Sequence, residues 1–343
     1  MAPSPAQDFH YPAEWTPHRA VWVAWPCHKD LWQENLPAAQ DSFAKMCRII
    51  GESESLEVLV DNTTAAADAK RALGGLPVRF HDVPYGDIWL RDTAPVFLRN
   101  TDGQVATARF QFNGWGGKYV LPNDDKVSAA IAKRADAATF AHGFVLEGGS
   151  VEVDGEGTLL TTRQCLQNPN RNPGASEAQV AQWLNASLGT RRVLWLDEGL
   201  RNDHTDGHID TLVRFVAPGQ VVCMSPAGPE DPNAKVLRDI ARALEGFSDA
   251  AGQRLRVHHI PSPGLVVSDD EEVMPASYVN FYIANGAVVV PTYGAPNDAA
   301  AVSALSALFP ERKTVGVSAK AILSGGGAFH CITQQEPLSG RQE

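Results

Sequence analysis

The chain has 343 residues, 44% hydrophobic and 20% charged, a balance that supports a packed core and excludes a disordered tail. Its 29 basic and 40 acidic residues leave a formal charge of −11, which excludes the basic surface of a nucleic-acid binder. The five cysteines are odd in number, widely spaced and without a CxxC, which excludes a disulfide framework and fits a cytoplasmic protein.

In chain order, residues 1–11 lack a basic start and an apolar stretch, so no export signal is expected. No apolar run approaches the roughly 18 residues of a membrane span, so no membrane partner is expected. Val- and Trp-rich residues 19–25 predict a strand, and the helical spacing of 37–50 a helix. Strand 56–60 and an Ala-rich helix at 64–73 follow, then strands at 78–83, 94–98 and 106–112 and a helix at 126–135. A strand at 159–162 precedes a helix at 176–188, with Ser176 as its N-cap. Strands are predicted at 193–196, 209–216 and 221–224, then an amphipathic helix at 231–244. Strands at 255–260, 278–283 and 287–291, a helix at 298–308 and a last strand at 314–317 complete the pattern. Strands outnumber helices, and several units run strand, strand, helix, strand. No linker or charge block divides the chain, so 1–343 is expected to form one domain.

Three segments concentrate chemistry. DIWLRDTAP at 87–95 places Trp89, Arg91 and Asp92 together, either an Arg–Asp ion pair or an aromatic wall beside a carboxylate that receives a planar cation. TDGHIDTL at 205–212 puts His208 and Asp210 two apart; on a strand they share a face, as a solvated polar side or as an acid–base pair. His204, four residues before His208, allows a metal-dependent amidohydrolase using His204, His208 and Asp210, although Gly207 and the β-branched residues disfavour the helix this needs. SGGGAFHCITQQEP at 324–337 leads three glycines into Cys331, either a buried hydrophobe or a nucleophile. FNGWGGKY at 112–119 and LEGGS at 146–150 add Trp115 and Glu147.

Taken together, WLRD at 89–92, NGWGG at 113–117, LEGGS at 146–150, GHID at 207–210, YVNFY at 278–282 and HCITQQ at 330–335 resemble the agmatine deiminases and the related bacterial peptidylarginine deiminases. The resemblance spans about residues 13–337 and implies the pentein fold, a five-bladed α/β propeller of pseudo-fivefold ββαβ modules around one central active site. It implies Cys331 as nucleophile, His208 as general acid and base, Asp92 and Asp210 as holders of the guanidinium, and Glu147 as the hydrogen-bond acceptor that orients His208. Trp89, Trp115 and Gly326 would line the substrate channel, and Asp203 and Asp206 are candidates for a distal amine, or solvated turn residues. The implied reaction converts agmatine to N-carbamoylputrescine and ammonia through an S-alkylthiouronium on cysteine, in putrescine biosynthesis, with no metal and no cofactor. Peptidylarginine, arginine or another small guanidine are alternative substrates, and a non-catalytic propeller that binds cations is a further alternative. The expected partner is a small cationic guanidine, with self-association left open. The sequence departs from the family pattern at Ala295 and at Ala328-Phe329, both expected near the substrate.

Overall fold

Five small sheets share one construction. The computed structural model describes residues 8–340; residues 1–7, part of the stretch expected to carry no export signal, and 341–343 lie outside the described residues. Val96–Arg99, Val105–Gln111 and Ala138–Val145 form one sheet, with its first two strands antiparallel and the second and third parallel. The same order recurs in Glu152–Val153, Thr158–Thr162 and Arg192–Leu196, and in Val213–Ala217, Gln220–Ser225 and Arg256–Pro261. It recurs again in Tyr282–Ile283, Ala287–Thr292 and Lys313–Ser318. Parallel strands need a crossover, and a helix supplies it each time: Asp124–Arg134, Glu177–Leu188, Ala234–Gly246 and Asp298–Leu308.

The remaining sheet closes the ring. The C-terminal strand Gln334–Pro337 pairs antiparallel with His18–Ala24, which runs parallel to Ser55–Val60 and then Val78–Asp82. Helices Leu36–Ile50 and Thr63–Ala72 make the two crossovers. The end of the chain thus supplies the first strand of the blade that its beginning completes, giving five ββαβ units.

Local signals account for the helix ends. Ser176 and Gln179 form a reciprocal capping box, as expected of Ser176, and Gly189 stops that helix in the left-handed region at φ 66°. Asn62 caps the helix Thr63–Ala72 by accepting from the Ala65 amide. No helix among the described residues is long and apolar enough to cross a membrane.

Two predicted strands are shorter than expected. Only Val213 onward pairs in 209–216, with Ile209–Thr211 forming a 3-10 turn, and only Tyr282–Ile283 pairs in 278–283. Both runs are apolar because they pass through the buried centre of the ring. Ala138–Val145, Glu152–Val153 and Gln334–Pro337 are strands that hydrophobic patterning missed.

Candidate active site

The turn immediately before the first strand of each blade reaches the centre, and each brings a polar side chain. Leu90–Thr93 carries Asp92, and the Glu147–Ser150 turn carries Glu147. The turn before Val213 carries His208 and Asp210. The irregular stretch before Tyr282 carries Asn280, and Cys331 lies just before Gln334. Pseudo-symmetry therefore gathers groups up to hundreds of residues apart onto one axis. His208 and Asp210 do not share a strand face; the 3-10 turn positions them instead.

The geometry is tight. Cys331 Sγ lies 3.5 Å from Asp210 Oδ2 and 3.2 Å from Asn280 Nδ2. Asp92 Oδ2 accepts from Trp115 Nε1 at 2.9 Å, and its Oδ1 accepts from the Gly149 amide at 2.9 Å. His208 Nδ1 is 3.8 Å from Asp92 Oδ1. A Cβ on Gly149 would sit 2.6 Å from His208 Nδ1, 3.0 Å from Asp92 Oδ1 and 3.1 Å from Asp210 Oδ2. Only glycine lets the backbone run between these three side chains. Asp210 Oδ1, Glu147 Oε2 and both ring nitrogens of His208 are buried without a hydrogen-bond partner among the described residues.

Trp89, Trp115, Asp92, Gly326 and Cys331 line one cavity of about 380 Å³, with His208 and Asp210 just beyond its lining. Trp32, missed in the sequence, joins this wall. Its ring stacks on Trp89 at 6.1 Å, and Asp87 accepts from both indoles, at 2.9 and 2.8 Å. The three glycines 325–327 admit the aromatic wall and the sulfur: a Cβ on Gly327 would lie 2.7 Å from the Trp89 ring and 3.1 Å from Cys331 Sγ.

Several expected contacts are corrected. Glu147 does not accept from His208; its Oε1 accepts from Arg171 Nε at 2.8 Å, because that buried guanidinium lies directly against it. Arg91 does not pair with Asp92; it turns away to Glu14, at 3.2 Å, and Gln335. Asp203 accepts from the Thr205, Gly207 and His208 amides, and Asp206 from Lys118, Asn170 and Arg171, so both hold the loop together and neither faces the cavity. Ala295 and Ala328 do not line the cavity. His204 stays at the mouth with Nδ1 3.2 Å from the Tyr119 hydroxyl, so His204, His208 and Asp210 are not brought together as metal ligands. Among the described residues, two other groups could hold a metal: Glu147, Cys165 and His208, and Cys27, His28 and Asp61, each with ligand atoms within 4.8 Å of one another.

Asn280 and His330 were missed, although both lie in motifs already noted. Asn280 hydrogen-bonds the Cys331 thiol, and His330 Nδ1 is 2.7 Å from Asp210 Oδ2. A polar residue inside an apolar run such as YVNFY is the signal that could have found Asn280.

Burial, then the charges of Asp210 and Asp92, push the Cys331 thiol well above its ordinary range. Burial, then Asp210 and Glu147, push Asp92 up to about 8. Burial pulls His208 down to about 3 against the opposing charge of Asp210. Burial alone would raise Asp210, but the hydrogen bond and charge of His330 hold it below the usual carboxylate range. At neutral pH the free site therefore holds a neutral thiol, a neutral imidazole, a protonated Asp92 and a charged Asp210. None of these four groups is positively charged, and a planar cation between the two carboxylates would supply the missing charge.

Five ββαβ blades closed around a centre of one thiol, one imidazole and three carboxylates define a pentein propeller. The chain belongs to the Porphyromonas-type peptidyl-arginine deiminase family, whose pattern matches residues 10–337. It is 38% identical over 355 residues to the agmatine deiminase of Ectopseudomonas mendocina, covering 97% of this chain and 96% of that one. It superposes with a TM-score of 0.93 on the agmatine deiminase of Enterococcus faecalis, at 32% identity and with 100% of this chain and 98% of that one covered. DDAH from Pseudomonas aeruginosa, at 11% identity and a TM-score of 0.51 over 93% of this chain and 99% of that one, shares the fold alone.

Proposed function

We propose that the chain is an agmatine deiminase, hydrolysing agmatine to N-carbamoylputrescine and ammonia on the way to putrescine. The observation that carries this reading is the cavity itself: Cys331 and Asp92 lie in it, acidic Asp87 and Glu34 line it further out, and no Lys or Arg among the described residues does. A guanidinium fits beside the paired carboxylates, and a distal ammonium meets acidic groups. The α-carboxylate of free arginine would find no cation there.

Asp210 Oδ1 and Asp92 hold the guanidinium edge-on, leaving its faces open to the sulfur. The bound cation favours the thiolate. The thiol proton passes to neutral His208 as sulfur bonds to the guanidinium carbon. His208 returns that proton to a departing nitrogen, the C–N bond breaks and ammonia leaves, with a cationic thiouronium on Cys331. Water then gives a proton to His208 and its oxygen bonds to the same carbon. Collapse of this neutral adduct expels the sulfur, the hydroxyl proton leaves to restore the thiol, and the proton on His208 is released to ammonia or solvent. Addition neutralises a cation, so no oxyanion hole is needed. All five cysteines are free thiols, which suits a reducing compartment and supports a cytoplasmic enzyme.

Ammonia release is measured with agmatine, arginine, a peptidylarginine and guanidinoalkylamines of other lengths. Agmatine should give the highest kcat/KM, with activity lost to iodoacetamide and retained in EDTA. Greater kcat/KM on peptidylarginine or arginine would overturn the substrate assignment, and loss in EDTA the chemistry.

A further inference from the structure

Behind the cavity lies a buried set of charges of which the mechanism above uses only Asp210. His330 Nδ1 is 2.7 Å from Asp210 Oδ2, and its Nε2 is 2.9 Å from Glu14 Oε2. Glu14 also pairs with Arg91 at 3.2 Å and Arg214 at 2.9 Å, and accepts from the Ile283 amide. Arg214 in turn pairs with Glu152 at 2.9 Å. His330 and Glu14 are 2% and 5% exposed at their side chains. A neutral imidazole has one N–H and cannot donate to two carboxylates; with Glu14 and Asp210 both held ionised by the cations around them, both ring nitrogens must carry hydrogen. The charge balance agrees: Glu14, Glu152 and Asp210 give three negative charges, and Arg91, Arg214 and a protonated His330 give three positive ones. With a neutral His330 the set would hold a net buried charge, which is costly.

We propose that Glu14 is a positioning residue for the reaction: it keeps His330 an imidazolium, and that cation holds Asp210 as a carboxylate with Oδ2 anchored and Oδ1 turned to the guanidinium. The inference rests on the deiminase reading and explains why a residue near the N-terminus reaches the axis. It also explains how Asp210 stays charged while Asp92, equally buried, does not. The groups facing His330 are Asp210 and Glu14, with Arg91 donating to its carbonyl and Arg214 and Glu152 beyond.

Glu14→Gln separates charge from shape. Its amide can donate to Nε2 of a neutral His330 while Nδ1–H still donates to Asp210, and the set stays neutral. Asp210 then loses its cation and protonates more easily, so the lower acid limb of kcat/KM, the one set by Asp210 beneath that of Asp92, should move up by about one pH unit. Glu14→Asp, which keeps the charge, should return the limb toward wild type. A purely structural role would lower the folded fraction and leave the limb in place. The ¹⁵N shifts of the His330 ring, assigned by their loss in His330→Gln, should read imidazolium in the wild-type chain near neutral pH. An unmoved limb in a folded Glu14→Gln enzyme, or a neutral His330 in the wild-type chain, would overturn the proposal. The ring measurement needs neither substrate nor a folded Glu14→Gln variant, so it stands or falls apart from the choice of guanidine.

Discussion

A thiol between two carboxylates gains nothing from ionising until a cation arrives, and the same logic governs Asp92. Its carboxyl titrates at about 8, chiefly through burial and then the charges of Asp210 and Glu147. Below that pH it is protonated in the free enzyme, whereas a bound guanidinium needs it charged. Binding must therefore release a proton, and affinity should rise with pH, by about tenfold per unit at most, levelling above 8. Calorimetry with a non-reacting guanidine, in buffers of different ionisation enthalpy, counts that proton; pH-independent binding between 6 and 9 would contradict the assignment. Residue types were the most legible part of the site. Cys331, His208, Asp210, Asp92 and Glu147 stand out in the sequence because ionisable groups among glycines and apolar residues have few structural uses. What each one touches was not legible. Arg171, which takes Glu147 away from His208, lies in a polar stretch that carries no pattern.

At the scale of elements, most helices and strands follow their periodicity, and the two over-long strand readings have one cause. Ile209–Thr211 and the stretch before Tyr282 are buried like strands, yet their backbones turn at the axis instead of pairing. Apolar runs report burial, not hydrogen-bond partners. The glycine turns are where local geometry bears on chemistry. Gly149→Ala would push a methyl to 2.6 Å from His208 Nδ1, and displacement of that order costs roughly 10²-fold in kcat. Steady-state kinetics on this variant, with a thermal melt close to wild type, checks it. Full activity would mean that the close approach of this backbone is not needed.

For the whole molecule, five turns converge only if the ring stays closed, and closure depends on the C-terminal strand. Glu336 in that strand is buried and accepts from Trp22 Nε1 at 2.8 Å and from Arg19, both in the first blade. Glu336→Ala leaves the buried indole N–H without its acceptor and should cost about 2 kcal/mol, read as a lower urea midpoint. A midpoint unchanged from wild type would show that closure does not depend on this contact. Fivefold organisation was not visible in the chain by eye, since the blades share backbone pattern and little sequence, and the closing strand Gln334–Pro337 is built from polar residues that read as a loop. The most direct measurement is rapid acid quench of the enzyme with agmatine, followed by mass analysis of the peptide containing Cys331. A transient gain equal to agmatine less ammonia on that cysteine, absent in Cys331→Ala, is expected. Sustained ammonia release by Cys331→Ala, with no adduct on the wild-type peptide, would contradict a cysteine-centred reaction.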